Sequence, residues 1–244
     1  MHKIQKYKVI SNKQISSDLY EMTLQGDTSW CQPGKFFNIK IPGFYLRRPM
    51  GVCLYNQQQF NFIYAVIGNG TKALSEMKAN TILDIMVDLG NTYWYKKEYG
   101  KPLLLTGGGG LGPIVSLGKK FKDENIPFEM IVGFNNKDKV AYEQEMKQLC
   151  PNLIICTDDG SYGEKGNVVE IIKKHHFENL YYFVCGAPGL IKAVYKNCQR
   201  GQISLDARMG CGFGACMGCS IKTKNGWQRI CKDGAVFDSN DLLW

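Results

Sequence analysis

Four cysteines near the carboxyl end are spaced Cys211-x4-Cys216-x2-Cys219-x11-Cys231, and this spacing constrains the chain more than any other feature. The first three lie in Met209-Gly-Cys-Gly-Phe-Gly-Ala-Cys-Met-Gly-Cys-Ser220, a loop with few bulky side chains. A [2Fe–2S] cluster takes four thiolates, and the plant-type order presents three of them as C-x4-C-x2-C. Glycines let the backbone wrap tightly and turn its N–H groups toward the sulfurs. The fourth ligand then arrives from a separate element. A structural zinc site more often shows two C-x2-C pairs, and unligated core cysteines have no reason to gather among glycines. Cys211, Cys216, Cys219 and Cys231 are therefore candidate ligands of a [2Fe–2S] cluster, with zinc and plain packing as the alternatives.

A chain of 244 residues can hold two compact domains and a small module. No apolar run is long enough to span a bilayer, and Met1-His-Lys-Ile-Gln-Lys-Tyr7 has no apolar signal core. A cytoplasmic protein is expected. The other six cysteines (Cys31, Cys53, Cys150, Cys156, Cys185, Cys198) are scattered, as reduced thiols would be. The net charge of +8 comes from lysines spread along the chain. Without a basic run interleaved with aromatics, it argues for a solvated surface with a few phosphate sites rather than for nucleic acid. His2, His175 and His176 have no partner pattern, and no Ser/His/Asp or Cys/His catalytic set is legible.

Residues 1–99 read as β structure. Tyr20, Met22 and Leu24 alternate with Leu19, Glu21 and Thr23, and Phe37, Ile39 and Ile41 alternate with Asn38 and Lys40. Phe62–Val66 and Ile82–Val87 are further strand-like runs between turn signals. Short strands at this spacing predict an antiparallel β-barrel, with one helix over Lys72–Ala79. Residues 100–202 alternate strands and helices. Strands are expected over Leu103–Thr106, Phe128–Gly133, Leu153–Thr157 and Tyr181–Cys185. Helices are expected to about Lys122 and over Val140–Leu149, Val168–His175 and Gly189–Asn197. That alternation predicts a doubly wound parallel α/β sheet, which the chain leaves at about Gly201. Residues 203–244 read as a small module stabilised by its metal site.

Gly107-x-Gly109-x-x-Gly112 fits the dinucleotide fingerprint, with Gly108 inside it, because it follows a strand and opens a helix. Pro113 suits a first helical turn, and the helix start offers N–H groups to a pyrophosphate. The following strand ends Gly133-Phe-Asn-Asn, without the usual acidic residue for a ribose hydroxyl. A turn kept glycine-rich for packing alone is the alternative. Cys185-Gly186 stands at the carboxyl end of a strand, where open α/β sheets bind ligands. Cys185 is thus either a nicotinamide neighbour or a small buried hydrophobe. Arg48 in Leu46-Arg-Arg-Pro49 offers a permanently charged fork for phosphate, and Gly70-Thr71 offers a turn at a helix start. Together they suggest a second phosphate-bearing cofactor. Arg47 reads as a surface charge.

Barrel, nucleotide sheet and cluster module together resemble the ferredoxin–NADP reductase superfamily. Within it, the chain resembles the electron-transfer subunit family of class 1B dihydroorotate dehydrogenase along essentially its whole length. Ser204-Leu-Asp-Ala-Arg-Met-Gly-Cys-Gly-Phe-Gly-Ala-Cys-Met-Gly-Cys219 and Cys231-Lys-Asp-Gly-Ala-Val-Phe-Asp238 carry this most specifically, with Pro33-Gly-Lys-Phe-Phe37, Thr106–Pro113 and Thr157-Asp-Asp-Gly-Ser-Tyr-Gly163 in support. The resemblance implies FAD held at Arg48, Pro49, Met50 and Gly51, at the strand residues Ile63, Tyr64 and Ala65, and at Gly70 and Thr71. It implies NAD at Gly107, Gly108, Gly109, Gly112, Cys185 and Gly186, and the cluster on Cys211, Cys216, Cys219 and Cys231. It also implies a separate FMN-containing catalytic subunit, in a heterotetramer of two of each. Dihydroorotate oxidised there would send electrons through this chain's cluster and FAD to NAD⁺, in pyrimidine (UMP) biosynthesis. Gly51 departs from the family's serine, which removes a hydroxyl contact to the flavin. Val87–Tyr93 and Ala187–Leu190 depart as well. A related FAD/[2Fe–2S] subunit serving another partner, of ferredoxin:NADP oxidoreductase or sulfide dehydrogenase type, is the nearest alternative. A zinc-bound adaptor without activity is the alternative of a different class.

Overall fold

Residues 3–244 are described by a computed structural model; the readings made on Met1 and His2 lie outside them. Six antiparallel strands come first: β1 (Lys3–Gln14), β2 (Leu19–Gln25), β3 (Phe36–Lys40), β4 (Arg48–Gly51), β5 (Gln59–Ala65) and, after helix α1 (Asn69–Ser75), β6 (Ile82–Leu89). Their order is β4-β3-β6-β1-β2-β5. The edges meet just beyond β4, where Cys53 N–H donates to the Asn61 carbonyl at 3.0 Å and Asn61 N–H to that of Leu54 at 2.8 Å. The sheet therefore curls into a nearly closed barrel. Inside it, Phe37 packs edge-on against Phe60 and Phe62, with Trp30 beside them. The buried Trp30 indole donates to the Tyr7 hydroxyl at 2.9 Å.

The strand β1 has no counterpart among the sequence expectations. Only Tyr7 and Val9 along it are buried, so its period-two signal is too short to see. In β2 the alternation is softened, because Leu19 and Glu21 are buried as well as Met22 and Leu24. One face lines the barrel and the other lies against the nucleotide domain. Helix α1 starts earlier than expected. The Thr71 hydroxyl accepts from Ile67 N–H and Gly68 N–H at 3.0 and 3.2 Å, and this nucleates the first turn at Asn69.

The next elements are β7 (Pro102–Thr106), α2 (Leu111–Asp123), β8 (Glu129–Phe134), α3 (Glu143–Leu149), β9 (Ile154–Thr157), β10 (Glu164–Lys165), α4 (Val168–Lys174), β11 (Tyr181–Cys185), α5 (Pro188–Asn197) and β12 (Gly201–Ser204). All these strands are parallel. Helices α2 and α3 cover one face and α4 and α5 the other, as a doubly wound sheet requires. Helix α3 starts three residues later than expected. Tyr142 takes a left-handed conformation at φ 62°, and Val140 is extended. Among the described residues, no helix is long and apolar enough to cross a membrane.

The expectation that the chain leaves this sheet at about Gly201 is corrected. Gly201–Ser204 is itself a strand, parallel to β11. A hairpin of β13 (Ser220–Thr223) and β14 (Gly226–Arg229) and the one-turn helix α6 (Ile230–Asp233) follow. Then β15 (Val236–Asp238) returns antiparallel to β12. The final order is β10-β9-β8-β7-β11-β12-β15. Strands of three or four residues carry too little periodicity to be seen in advance.

Two side-chain amides fasten the segment after the barrel to the β12–β15 edge of the second sheet. Asn91, just past the barrel, donates to the Val236 carbonyl at 2.7 Å and accepts from Val236 N–H at 2.8 Å. Gln202 on β12 does the same to Trp94, at 2.6 and 3.1 Å. Each amide reproduces a backbone ladder pair, so the linker behaves as an extra partial strand.

Candidate functional site

The cysteine loop hangs between β12 and β13 and lies against the outer face of β3 and β6. Its thiols fall into two pairs. The Cys211 sulfur accepts from Ala215 N–H at 3.2 Å and from Cys216 N–H at 3.4 Å, and Cys211 N–H points back at the Cys216 sulfur at 3.4 Å. The Cys219 sulfur accepts from Cys231 N–H at 3.4 Å. Partial burial works against ionisation of Cys211, but N–H donors from Cys216, Phe213 and Ala215 and the Cys216 thiol prevail and pull it down to about 6. Burial, then the neighbouring Cys219 thiol, push Cys231 up to about 12. Glycine makes the wrapping possible: Gly212 and Gly214 sit at φ +77° and +92°. Arg229 braces the loop by donating to the Gly214 carbonyl at 2.9 Å while paired with Asp233 at 3.0 Å.

This arrangement fits a binuclear cluster, in which each iron takes two of the four thiolates: two thiol pairs with backbone donors aimed at the sulfurs suit two irons.

The second place is on the barrel. Arg48, Pro49, Met50 and Gly51 form β4. A Cβ added to Gly70 would lie 2.6 Å from Arg48 Nε, so the guanidinium rests on that glycine at the start of α1. Arg48 also lies over the Phe44 ring, 5.2 Å from its centroid, and donates to the Leu46 carbonyl. Among the described residues no carboxylate pairs with it, which leaves its fork available to an anion. Arg47 is not the surface charge expected of it. It is half-buried, pairs with Asp84 at 2.5 Å and donates to the Asn38 and Asp84 carbonyls. Thr71 spends its hydroxyl on capping α1. On β5, Ile63 and Ala65 face the nucleotide domain, whereas Tyr64 turns into the barrel and donates to Asn12 Oδ1 at 2.8 Å.

The third place is the crevice at the carboxyl ends of β7 and β11, where the strand order reverses. Open α/β sheets bind ligands there. Gly107–Gly110 bends between the two strands. A Cβ on Gly107 would fall 2.3 Å from the Gly133 carbonyl oxygen, and one on Gly110 would fall 2.5 Å from that of Cys185. Gly108 needs its φ of +54°, whereas Gly109 faces open space. Packing therefore explains Gly107 and Gly110 without a ligand, and Gly110 lay outside the sequence fingerprint. Gly112 meets the barrel at Cys53, 3.5 Å from an added Cβ. Gly51 meets Pro113: a Cβ there would come within 2.7 Å of Pro113 Cγ. Beyond the lost hydroxyl contact, a serine at 51 would collide with the start of α2.

The Thr106 hydroxyl, at the end of β7 beside Cys185, is buried without a partner. Burial first, and then Asp206, push the Cys185 thiol up to about 12, so it stays neutral. Asp158, just past β9, lies beside the end of β8, where the Asn135 amide donates to it at 3.1 Å. Both residues lie in segments the sequence singles out, Thr106–Pro113 and Thr157–Gly163, but the places of Thr106 and Asp158 beside Cys185 and Asn135 appear only when the strands align.

Residues 206–243 match the family described as the iron-sulfur cluster binding domain of dihydroorotate dehydrogenase B. Residues 104–196 match an oxidoreductase NAD-binding domain. The chain is 36% identical over 256 residues to the dihydroorotate dehydrogenase B (NAD(+)) electron transfer subunit of Fusobacterium nucleatum subsp. nucleatum, covering 98% of each. It is 33% identical over 249 residues to that of Streptococcus mutans serotype c, covering 96% of each. Among solved structures it superposes on a chain of the NADH-dependent reduced ferredoxin-NADP oxidoreductase with a TM-score of 0.88. That likeness has 22% identity and covers 98% of this chain and 90% of the other.

Proposed function

The chain belongs to the family of dihydroorotate dehydrogenase B (NAD(+)) electron transfer subunits, and from that premise we propose that it relays electrons between a separate FMN-bearing, dihydroorotate-oxidising subunit and NAD⁺, by way of a [2Fe–2S] cluster and FAD. The observation that carries this reading is the pairing of Cys211 with Cys216 and of Cys219 with Cys231 beside the barrel. When bound, the flavin supplies the exchange between two-electron hydride chemistry at nicotinamide and one-electron chemistry at the cluster.

The chain's own residues bind and orient. Arg48, resting on Gly70, offers its fork to the flavin phosphates, while Pro49, Met50, Gly51 and, on β5, Ile63 and Ala65 form the wall beside them, with Tyr64 contributing only its backbone because its side chain turns into the barrel. Thr71 holds the turn in shape. The bend Gly107–Gly109, with Gly112, sets the start of α2 toward the NAD pyrophosphate. Thr106, Cys185 and Gly186 line the nicotinamide end, and Asp158 with Asn135 receives the ribose. We place the first unit boundary at 99/100 and the start of the cluster module after β12 rather than at 203, since that strand runs through Ser204, with a heterotetramer of two copies of each subunit as the assembly and the cytoplasm as the compartment. Orotate production for UMP synthesis is the pathway this implies. Metal and flavin analysis of the purified protein tests the assignment. It should carry FAD, with iron and labile sulfide in the proportion of a [2Fe–2S] cluster; zinc without iron contradicts it.

A further inference from the structure

Asn38 stands on β3 and is 2% exposed. Its cross-strand neighbours are Pro49 on β4 and Met86 on β6, so it adjoins the Arg48–Gly51 segment. Its side chain faces the cysteine loop. A Cβ built on Gly212 would lie 1.8 Å from Asn38 Nδ2 and 3.1 Å from its Cγ, so the carboxamide presses on the bare Cα of that glycine. Gly212 follows Cys211 directly and holds φ +77°. At the other end of the amide, Oδ1 is buried and has no hydrogen-bond partner. Burying a carboxamide with an orphaned oxygen is unfavourable. An apolar side chain would escape that penalty, so packing alone does not account for an amide here.

We propose that Asn38 is a positioning residue through which the barrel holds the cysteine loop and sets the polarity around the cluster; this rests on the [2Fe–2S] reading of Cys211, Cys216, Cys219 and Cys231. The contact pins the left-handed backbone at Gly212 and thereby the direction of the Cys211 thiol. It also turns the amino end of the amide dipole toward the loop. Donors and positive dipole ends near a cluster favour its reduced form. The same residue pairs with Pro49 in the segment assigned to the flavin, so β3 lies between the loop and the flavin wall.

The test uses the purified holoprotein, with Asn38→Asp and Asn38→Leu, and a redox titration of the cluster followed by paramagnetic resonance. Both substitutions should lower the cluster midpoint potential, Asn38→Asp more, because it adds a negative charge. Both should alter the resonance of the reduced cluster and speed cluster loss to a chelator by about tenfold. FAD content equal to that of the unsubstituted protein confirms that the barrel is intact. If Asn38→Leu does not fold, Asn38→Asp, of the same size, decides. Unchanged potential and resonance in a cluster-bearing variant overturn the proposal alone. An unsubstituted protein holding zinc in place of iron overturns the cluster reading and this proposal with it.

Discussion

The two glycine-rich loops of this protein are crowded by different things. In Gly107–Gly110 a Cβ would strike the backbone of a neighbouring strand, at 2.3 and 2.5 Å from carbonyl oxygens of Gly133 and Cys185. In the cysteine loop, Gly212 and Gly214 combine positive φ with close approach by side chains, Asn38 and Lys232, where an added Cβ would fall 1.8 and 2.6 Å away. A Cβ on Gly210 or Gly218 would meet only the Cys216 sulfur, at 3.2 and 3.5 Å. The first loop is fixed by backbone that cannot retreat. The second is packed by side chains and left open at its thiols.

Substitution can break that contrast. Gly107→Ala should cause the largest loss, because the added methyl meets backbone that cannot retreat. Overpacking of this kind costs about 1–3 kcal/mol or more. Gly109→Ala, facing open space, should stay within about 0.5 kcal/mol. Equal unfolding midpoints for the two variants would refute the packing account of the turn.

The next effect concerns the two adjacent arginines. Arg48→Ala should weaken FAD retention by about 1.5–3 kcal/mol, roughly tenfold to a hundredfold in Kd, through loss of a charge-assisted contact. Arg47→Ala should leave FAD affinity nearly unchanged while lowering barrel stability, because Arg47 is committed to Asp84. FAD titration of both apoproteins measures this; equal affinities would remove Arg48 from the phosphate.

Much of the architecture was legible because its signals are local. The cysteine spacing, the strand before Gly107 and the alternating elements to Asn197 each lie within a short window. What was missed joins distant segments. Asn91 and Val236 are 145 residues apart, and no pattern in either announces the amide clamp between them. The strand β12 and its antiparallel partner β15 are too short to show a period. The commitment of Arg47 to Asp84 and the contact of Asn38 with Gly212 exist only after the barrel closes. At the site, residue types and spacing pointed to the ligands and to the segments holding Gly110, Thr106 and Asp158, whereas the neighbours of these three came only with strand alignment.

A smaller effect sharpens the contrast at the domain boundary. Gly51→Ser should restore a hydroxyl near the flavin wall but push against Pro113, with a net destabilisation of about 1 kcal/mol. Gly51→Ser with Pro113→Ala should recover that loss, because the alanine lacks the ring carbon in the way. Thermal unfolding of the single and double variants decides; a double variant no more stable than the single would discount the contact. The smallest effect belongs to Gly218→Ala, whose methyl meets only a sulfur in ordinary contact. Its unfolding midpoint should match the parent, with any change confined to the visible spectrum of the cluster.

The central claim is that electrons pass through the thiols of the cysteine loop. Cys231→Ser removes the ligand most distant in sequence and leaves the barrel and the nucleotide crevice untouched. Mixed with the proposed FMN-bearing partner, dihydroorotate and NAD⁺, the variant should form almost no NADH. It should still accept hydride from NADH at its own flavin, and its visible and paramagnetic spectra should show the cluster lost. Undiminished NADH formation by a variant shown to lack the cluster would contradict the account.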